Sequence, residues 1–369
     1  MSKFAVYSDL HLHNWSYGSK VHTYNSRLEK QYTFLMELAV RCCNNSIEEL
    51  FFCGDFFHVH NTINTDVLFL ANRAIEYIAI NNINHHMLVG NHDISRSFKK
   101  DYNNRVLLEP NSISIFNKKA HIYSSPYVCK LINNEYYASF VPYIENKDLL
   151  LDILDKISKV DTGKFKHFLF MHQGVSNVPI GSGFILNEFL SPDMIPDNVT
   201  RAFVGHYHVH RDLGKLVIVG PPMQHTRADK YEQGGCLFVD ASTGEFTREL
   251  VYKNSKFVEL TEDFVELSLK MGKENELKNL VNFNFVRVLD FKGNMENAET
   301  IKELLITKFD AEFVDFQFNE DSKSKENEKP SDTSLSIEQL ISEYNNGLFP
   351  REQEVGALLR EGKYAIPKL

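Results

Sequence analysis

The sequence has no apolar run that approaches the length of a membrane span, so a helical bilayer crossing is not expected. Cysteine is scarce and scattered: the five residues stand at 42, 43, 53, 129 and 236, an odd number, and three of them lie in apolar surroundings. That usage excludes a disulfide framework and fits reduced thiols in an intracellular, cytoplasmic protein. Positive charge is not in excess either. A net charge of −9 argues against a protein that coats nucleic acid through bulk charge. A local basic groove remains compatible with it, and bound divalent cations would offset part of the negative charge. A signal peptide is not expected, because Met1-Ser2-Lys3 runs directly into the strand-like Phe4-Ala5-Val6-Tyr7. Residues 319–334 carry no apolar side chain at all, and 321–334 read as a flexible linker that cannot bury a core.

What is present is a repeated local design. The apolar run Leu50-Phe51-Phe52-Cys53 reads as a buried strand, closed by Gly54-Asp55-Phe56-Phe57-His58. A carboxylate at the end of a buried strand is costly unless it is paired or bound to a metal. Strand 4–8 ends likewise in Ser8-Asp9-Leu10-His11, and if that segment stays extended Asp9 and His11 face one ion. His86-Met87-Leu88-Val89 ends in Gly90-Asn91-His92-Asp93, strand 167–171 in His172-Gln173-Gly174, and strand 201–204 in Gly205-His206-Tyr207-His208. Between them, 26–43 reads as a helix with Leu28, Leu35, Met36, Ala39 and Val40 on its apolar stripe. A second helix, Thr65 to Ile80, has Thr65 as N-cap and Val67, Leu68, Ala71, Ala74, Ile75 and Ile78 buried. Strand–helix–strand–helix–strand is the α/β order of parallel strands, whose ligand sites lie beyond the strands' carboxyl ends. The polar clusters therefore converge in space.

With 369 residues and 43% apolar content, the chain has room for a large core and an appendage. Residues 106–141 read as short β-like runs, among them Ile113-Ser114-Ile115-Phe116 and Tyr136 to Val141; 147–158 reads as a helix, and 213–220 and 235–240 as strands. The core (1–255) is followed by a small α+β unit (256–320) with strands at 283–291 and 311–318 around a helix at 297–309. A helical pair follows the linker at 335–369, suited to a groove on a partner or to this chain's own core.

Asp9, His11, Asp55, Asn91, His92, His172, His206 and His208 mix carboxylate, imidazole and amide oxygen. That chemistry suits Mn, Fe or Zn better than Ca or Mg. The set is too large for one tetrahedral zinc. It suits two ions sharing one carboxylate, Asp55, which clamp the attacking and leaving oxygens of an in-line phosphoryl displacement. His92, next to Asn91, is placed to protonate the leaving oxygen or stabilise the transition state. Any one motif alone reads as an ordinary turn; the conjunction of five in order does not. Arg96, Lys99 and Lys100 could meet DNA phosphates, though a solvated loop is the simpler reading. His13, His22, His60, His85, His86, His210 and His225 read as surface or structural.

Asp9-Leu10-His11, Gly54-Asp55, Gly90-Asn91-His92-Asp93, His172 and Gly205-His206-Tyr207-His208 resemble the five blocks of the calcineurin-like metallophosphoesterase superfamily. The resemblance covers residues 3–240. It implies a two-sheet α/β/β/α sandwich, with one metal on Asp9, His11, Asp55 and His208, a second on Asp55, Asn91, His172 and His206, and His92 as the catalytic histidine. Phe56-Phe57-His58, in place of the arginine-bearing turn of phosphoprotein phosphatases, resembles the SbcD-type DNA repair nucleases, and the compact length and high Asn and Lys content are similar to the phage members of that family, the recombination endonuclease subunits. Met171-His172-Gln173-Gly174 and Gly220-Pro221-Pro222 add to that likeness, although Pro222 stands where the family turn carries Ser or Thr. For this chain it implies a second active-site histidine, His58, and manganese as the metal. It also implies a homodimer within a heterotetramer, in which the helical pair grips the coiled coil of an SbcC-type SMC-like ATPase.

Three functions follow as expectations: a manganese-dependent DNA nuclease with such a partner, a small-molecule phosphodiesterase or phosphatase on the same core, and a non-catalytic scaffold. The complete ligand set argues against the last.

Overall fold

The apolar runs read as strands do form sheets, and their order places all five polar clusters along one edge. The computed structural model describes residues 2–15, 24–60, 62–95, 111–180, 183–251 and 255–319. Arg96, Lys99, Lys100, His22, the linker and the helical pair lie outside the described residues. Residues 1–317 form one compact unit.

In chain order the elements are β1 (Lys3–Tyr7), α1 (Ser26–Asn44), β2 (Glu49–Phe52), α2 (Thr65–Ile80), β3 (Asn84–Leu88), β4 (His121–Tyr123), β5 (Tyr127–Ile132), β6 (Tyr136–Val141), α3 (Lys147–Ser158) and β7 (Lys166–His172). They continue with β8 (Pro179–Ile180), β9 (Phe184–Ile185), β10 (Arg201–Gly205), β11 (Arg211–Leu213), β12 (Leu216–Ile218), β13 (Gly235–Asp240) and β14 (Phe246–Leu250). The last stretch holds β15 (Phe257–Thr261), α4 (Glu262–Lys270), α5 (Glu274–Val281), β16 (Phe285–Phe291), α6 (Met295–Thr307) and β17 (Phe313–Phe318). One six-stranded sheet has the order β14-β13-β1-β2-β3-β4, the other β11-β12-β10-β7-β6-β5, and a third, three-stranded, β15-β16-β17. β1, β2 and β3 run parallel, with Tyr7 level with Phe52; β7 and β10 run parallel, with His172 level with Gly205. Strand carboxyl ends of both large sheets thus open on the same side.

Three apolar layers hold the sandwich. Helices α1 and α2 bury one face of the first sheet, and α3 one face of the second. Between the sheets lies an aromatic layer in which Phe51 stacks on Phe170 at 4.1 Å and Phe4 meets Phe51 edge-on at 5.2 Å. Such pairs add about 0.5–1.5 kcal/mol beyond the area they bury. Asn25 caps α1 by accepting from the amides of Arg27 and Leu28 at 3.0 and 3.3 Å.

Several local expectations are corrected. Ile113–Phe116 is a 3₁₀ turn (Ser112–Phe116), because Ile113 and Phe116, three residues apart, share its buried side. The cap of α2 is Asn64, which accepts from Asp66 N at 2.8 Å, one residue before Thr65. Val40 and Leu68 are exposed, and Leu38 and Leu70 take the buried positions, each helix turning its stripe toward its sheet. Strand β15 and helices α4 and α5 precede the strands and helix expected from the alternation at 283–318. With β16, α6 and β17 they build the three-stranded sheet and its helices, which ion pairs of Arg227 with Asp315, of Lys230 with Glu259 and of Lys30 with Glu312 tie to the rest of the same compact unit.

Candidate metal centre

Each cluster sits where a strand stops. Asp9 and His11 follow β1, Asp55 follows β2, Asn91 and His92 follow β3, His172 closes β7, and His206 and His208 follow β10. Sequence spacing suggested an extended Asp9-Leu10-His11; instead Asp9 and His11 have φ of 51° and 47°, and Asp55 and His206 share the positive sign at 63° and 104°. Non-glycine residues rarely adopt such angles, and they gather at functional sites. Backbone bonds across the strand ends enforce the bend: Asp9 N donates to Gly54 O and His11 N to Asp55 O, both at 3.0 Å.

Asp55 is the centre of the geometry. Its Oδ2 lies 3.6 Å from His11 Nε2, and its Oδ1 lies 3.4 Å from His172 Nε2. One carboxylate therefore offers one oxygen to each of two clusters. On the first side His11 Nε2 is 3.1 Å from His208 Nε2, and Asp9, His11 and Asp55 bring ligand atoms within 4.8 Å of one another. On the second, Asn91 Oδ1 is 3.0 Å from His172 Nε2 and 2.9 Å from His206 Nδ1, and Asp55, His172 and His206 converge in the same way.

Supporting groups turn the rings inward. His172 Nδ1 donates to Cys53 O at 2.6 Å, which aims Nε2 into the cluster. His208 Nδ1 faces Asp229 Oδ2 at 3.6 Å. His206 N donates to both oxygens of Asp9 at 3.0 and 3.1 Å. Gly90 must be glycine, since a Cβ there would stand 2.2 Å from Asp55 Oδ1. Once deprotonated, these converging imidazole, carboxylate and amide-oxygen atoms are lone-pair donors aimed at common points, so the donor set fits bound metal.

The electrostatics agree. Burial alone would raise Asp55, but His172 and then His92 hold it at about 2. Burial would lower His172, yet Asp55 raises it to about 9. Burial pushes Asp9 up to about 6, and burial with the neighbouring His172 pushes His206 down to about 3. In the metal-free protein a proton on His172 thus supplies the positive charge the cluster demands. A metal ion must displace that proton. Metal uptake is therefore expected to release protons near pH 7, from His172 and in part from His208, whose pKa burial would lower but Asp229 and Asp9 raise, and to tighten as pH rises toward 9. Calorimetry in two buffers of different ionisation enthalpy measures that release, and an uptake without proton release contradicts the assignment.

His92 lies at the rim. Its N donates to Asp55 Oδ1 at 2.8 Å, and its Nδ1 bonds the His58 carbonyl at 2.7 Å. The His58 ring stacks on His92 with centroids 5.6 Å apart and meets His11 edge-on at 5.4 Å. Burial, then His13 and His92, push His58 down to about 4.

Several supporting residues carry little signal in the sequence. Asp93 is fully buried, and its carboxylate accepts from the amides of Asp55, Phe56, Phe57 and Gly90 at 3.0–3.2 Å. It pins the turn that presents Asp55; the only sequence signal was its place in Gly90-Asn91-His92-Asp93. Asp93→Ala orphans buried amides at about 1–3 kcal/mol each, so a loss of about 4 kcal/mol is expected by urea unfolding, and a loss under about 1 kcal/mol contradicts this role. His225, read as surface or structural, is buried in the site wall: its Nε2 donates to Asp9 O at 2.7 Å and its ring lies 4.8 Å from both His11 and His208. His60 stacks on His92 at 4.6 Å. His85 and His86 are buried away from the site, on Tyr7 and Glu49.

A two-sheet sandwich with this metal-ligand edge defines a metallophosphoesterase. Residues 2–210 match the Metallophos family, calcineurin-like phosphoesterase, and the chain belongs to that family, whose enzymes use divalent metal ions. The chain is 24% identical over 371 residues to the DNA double-strand break repair protein Mre11 of Sulfolobus acidocaldarius, a match covering 95% of this chain and 93% of that protein. Solved structures include an archaeal phosphodiesterase at 12% identity and TM-score 0.32, covering 68% of this chain and 99% of its own. A dimetal phosphatase from Danio rerio stands at 10% and 0.38, covering 68% and 95%. At those scores neither likeness bears on function. Among the described residues no helix is long and apolar enough to cross a membrane.

Proposed function

We propose that this metallophosphoesterase is a manganese-dependent DNA nuclease of repair or recombination, working with an SbcC-type SMC-like ATPase. The observation that carries the choice of DNA is the similarity to a double-strand break repair protein along 95% of the chain, past the catalytic core and into the C-terminal region. Asp9, His11, Asp55 and His208 would hold one metal, and Asp55, Asn91, His172 and His206 the other. The bound pair supplies Lewis-acid activation of the attacking water and charge neutralisation on the phosphate. The chain's own part is to place the substrate and move a proton. The His58 carbonyl takes the Nδ1 proton of His92, so Nε2 is the nitrogen left to exchange a proton with the leaving oxygen. His58 lines the same rim. Residues 256–320 would act as a cap beside the site, and 335–369, beyond the linker 321–334, as the segment that binds the ATPase in an assembly built on a homodimer.

Incubation with manganese and labelled single-stranded or duplex DNA, with and without the ATPase, tests the reading. Cleavage of at least one form is expected. Intact DNA beside rapid hydrolysis of simple aryl phosphodiesters would favour a small-molecule phosphodiesterase instead.

A further inference from the structure

Trp15 lies four residues beyond His11 on the loop leaving β1, and it is the only tryptophan in the sequence. Its indole packs tilted on the His58 ring, with centroids 4.8 Å apart. The Arg27 guanidinium sits over the same indole, 4.8 Å from its centre. Arg27 is only 1% exposed, and a buried guanidinium is costly unless its surroundings compensate it. Here it donates to the Gln224 carbonyl and lies over Phe257 and Phe285 of the third sheet, at 5.7 and 5.6 Å.

One turn along α1, on the same face, Gln31 completes the seat. Its Oε1 accepts from the Trp15 indole N–H at 3.3 Å, while its Nε2 donates to the carbonyls of Leu10 and His11 at 2.7 and 2.8 Å. Asn25 Nδ2 donates to the Trp15 carbonyl at 3.2 Å. The first turns of α1 therefore fix Trp15 and the His11 loop together. Beyond Trp15, the carbonyl of His58 holds His92 Nδ1. Contacts run without a gap from Phe257 and Phe285 through Arg27, Trp15 and His58 to His92.

We infer that Trp15 is a positioning residue. Clamped by Arg27, it fixes His58, and through the His58 carbonyl it sets the tautomer and aim of His92. Because Phe257 and Phe285 help seat Arg27, the three-stranded sheet is part of what aims the catalytic histidine. The inference rests on the role given to His92 above. Misplacing a reacting group by about 1 Å costs about 10²-fold, which sets the scale.

Trp15→Ala is expected to lower kcat for manganese-dependent phosphodiester cleavage by about 10–100-fold, with KM and metal affinity within about twofold of wild type. Trp15→Phe, which keeps a ring against His58, should recover most of the loss, and Arg27→Met should reproduce it. An unchanged kcat in folded Trp15→Ala, or a metal affinity that falls in step with kcat, overturns the positioning role. A second readout needs no turnover. Emission from the single tryptophan reports this seat alone, so His58→Ala in metal-free protein should change its intensity and maximum. An unchanged emission overturns the contact. If Trp15→Ala does not fold, Trp15→Phe and the emission measurement decide. A wild-type protein that cleaves no phosphodiester would sink the functional reading, while the emission result would still decide whether Trp15 holds His58.

Discussion

Asp55→Asn is expected to empty both metal positions and to abolish hydrolysis. The substitution keeps shape and one oxygen, so His92 N retains its acceptor at Oδ1. What it removes is the negative charge and the second anionic oxygen. Asp55 is held ionised, at about 2, while His172 is raised to about 9, so this carboxylate is the charge around which the cluster is built. A carboxylate that gives one oxygen to each cluster cannot be replaced by an amide, whose NH₂ would point a donor at one ion. Metal analysis of the purified variant should find less than one ion per chain against about two in the wild type, and cleavage at background. Retention of both ions would remove Asp55 from the bridging position.

His92→Ala separates chemistry from metal binding. The expected fall in kcat is about 10²–10⁴-fold, the usual worth of a positioned general acid. The two metals should stay. That outcome is not trivial, because the rings of His11, His58 and His92 come close enough to form a candidate ligand group of their own. His92 Nδ1, however, is engaged by the His58 carbonyl. Only Nε2 is left to face substrate, and the assigned sets are complete without it. Loss of metal in step with activity would make His92 a ligand and leave the proton-transfer role vacant. Raised KM at unchanged kcat would make it a binding residue.

Much of this site was legible because it is written at strand ends. Leu50 to Cys53 followed by Gly54-Asp55, and His86 to Val89 followed by Gly90-Asn91-His92, each show a buried run stopping at a polar group that a core could not keep unpaired. Five such stops predicted convergence, and the parallel pairing of β1 with β2 and of β2 with β3 delivers it. The conformation at Asp9 and His11 was not legible. Spacing of two suggests an extended segment, whereas bonds to Gly54 O and Asp55 O, more than forty residues away, force both into left-handed angles. Asp93, Asp229, Gln31 and His225 were hidden for a related reason. Asp93, Gln31 and His225 bond backbone groups of distant loops, and Asp229 faces the His208 ring twenty-one residues away, none of which side-chain type alone reveals. The exposed Val40 and Leu68 show the remaining error: an apolar residue at the margin of a helical stripe turns to solvent while Leu38 and Leu70 take the buried positions.

One assay asks together whether two ions share Asp55 and whether the pair hydrolyses DNA. End-labelled duplex and single-stranded DNA are incubated with wild type and Asp55→Asn at matched concentration, with manganese or with chelator. Cleavage is expected from wild type with manganese and not with chelator, and none from the variant under either condition. Both DNA forms left intact by a wild-type protein that carries two metals, or cleavage that persists in Asp55→Asn, would contradict a shared pair that hydrolyses DNA.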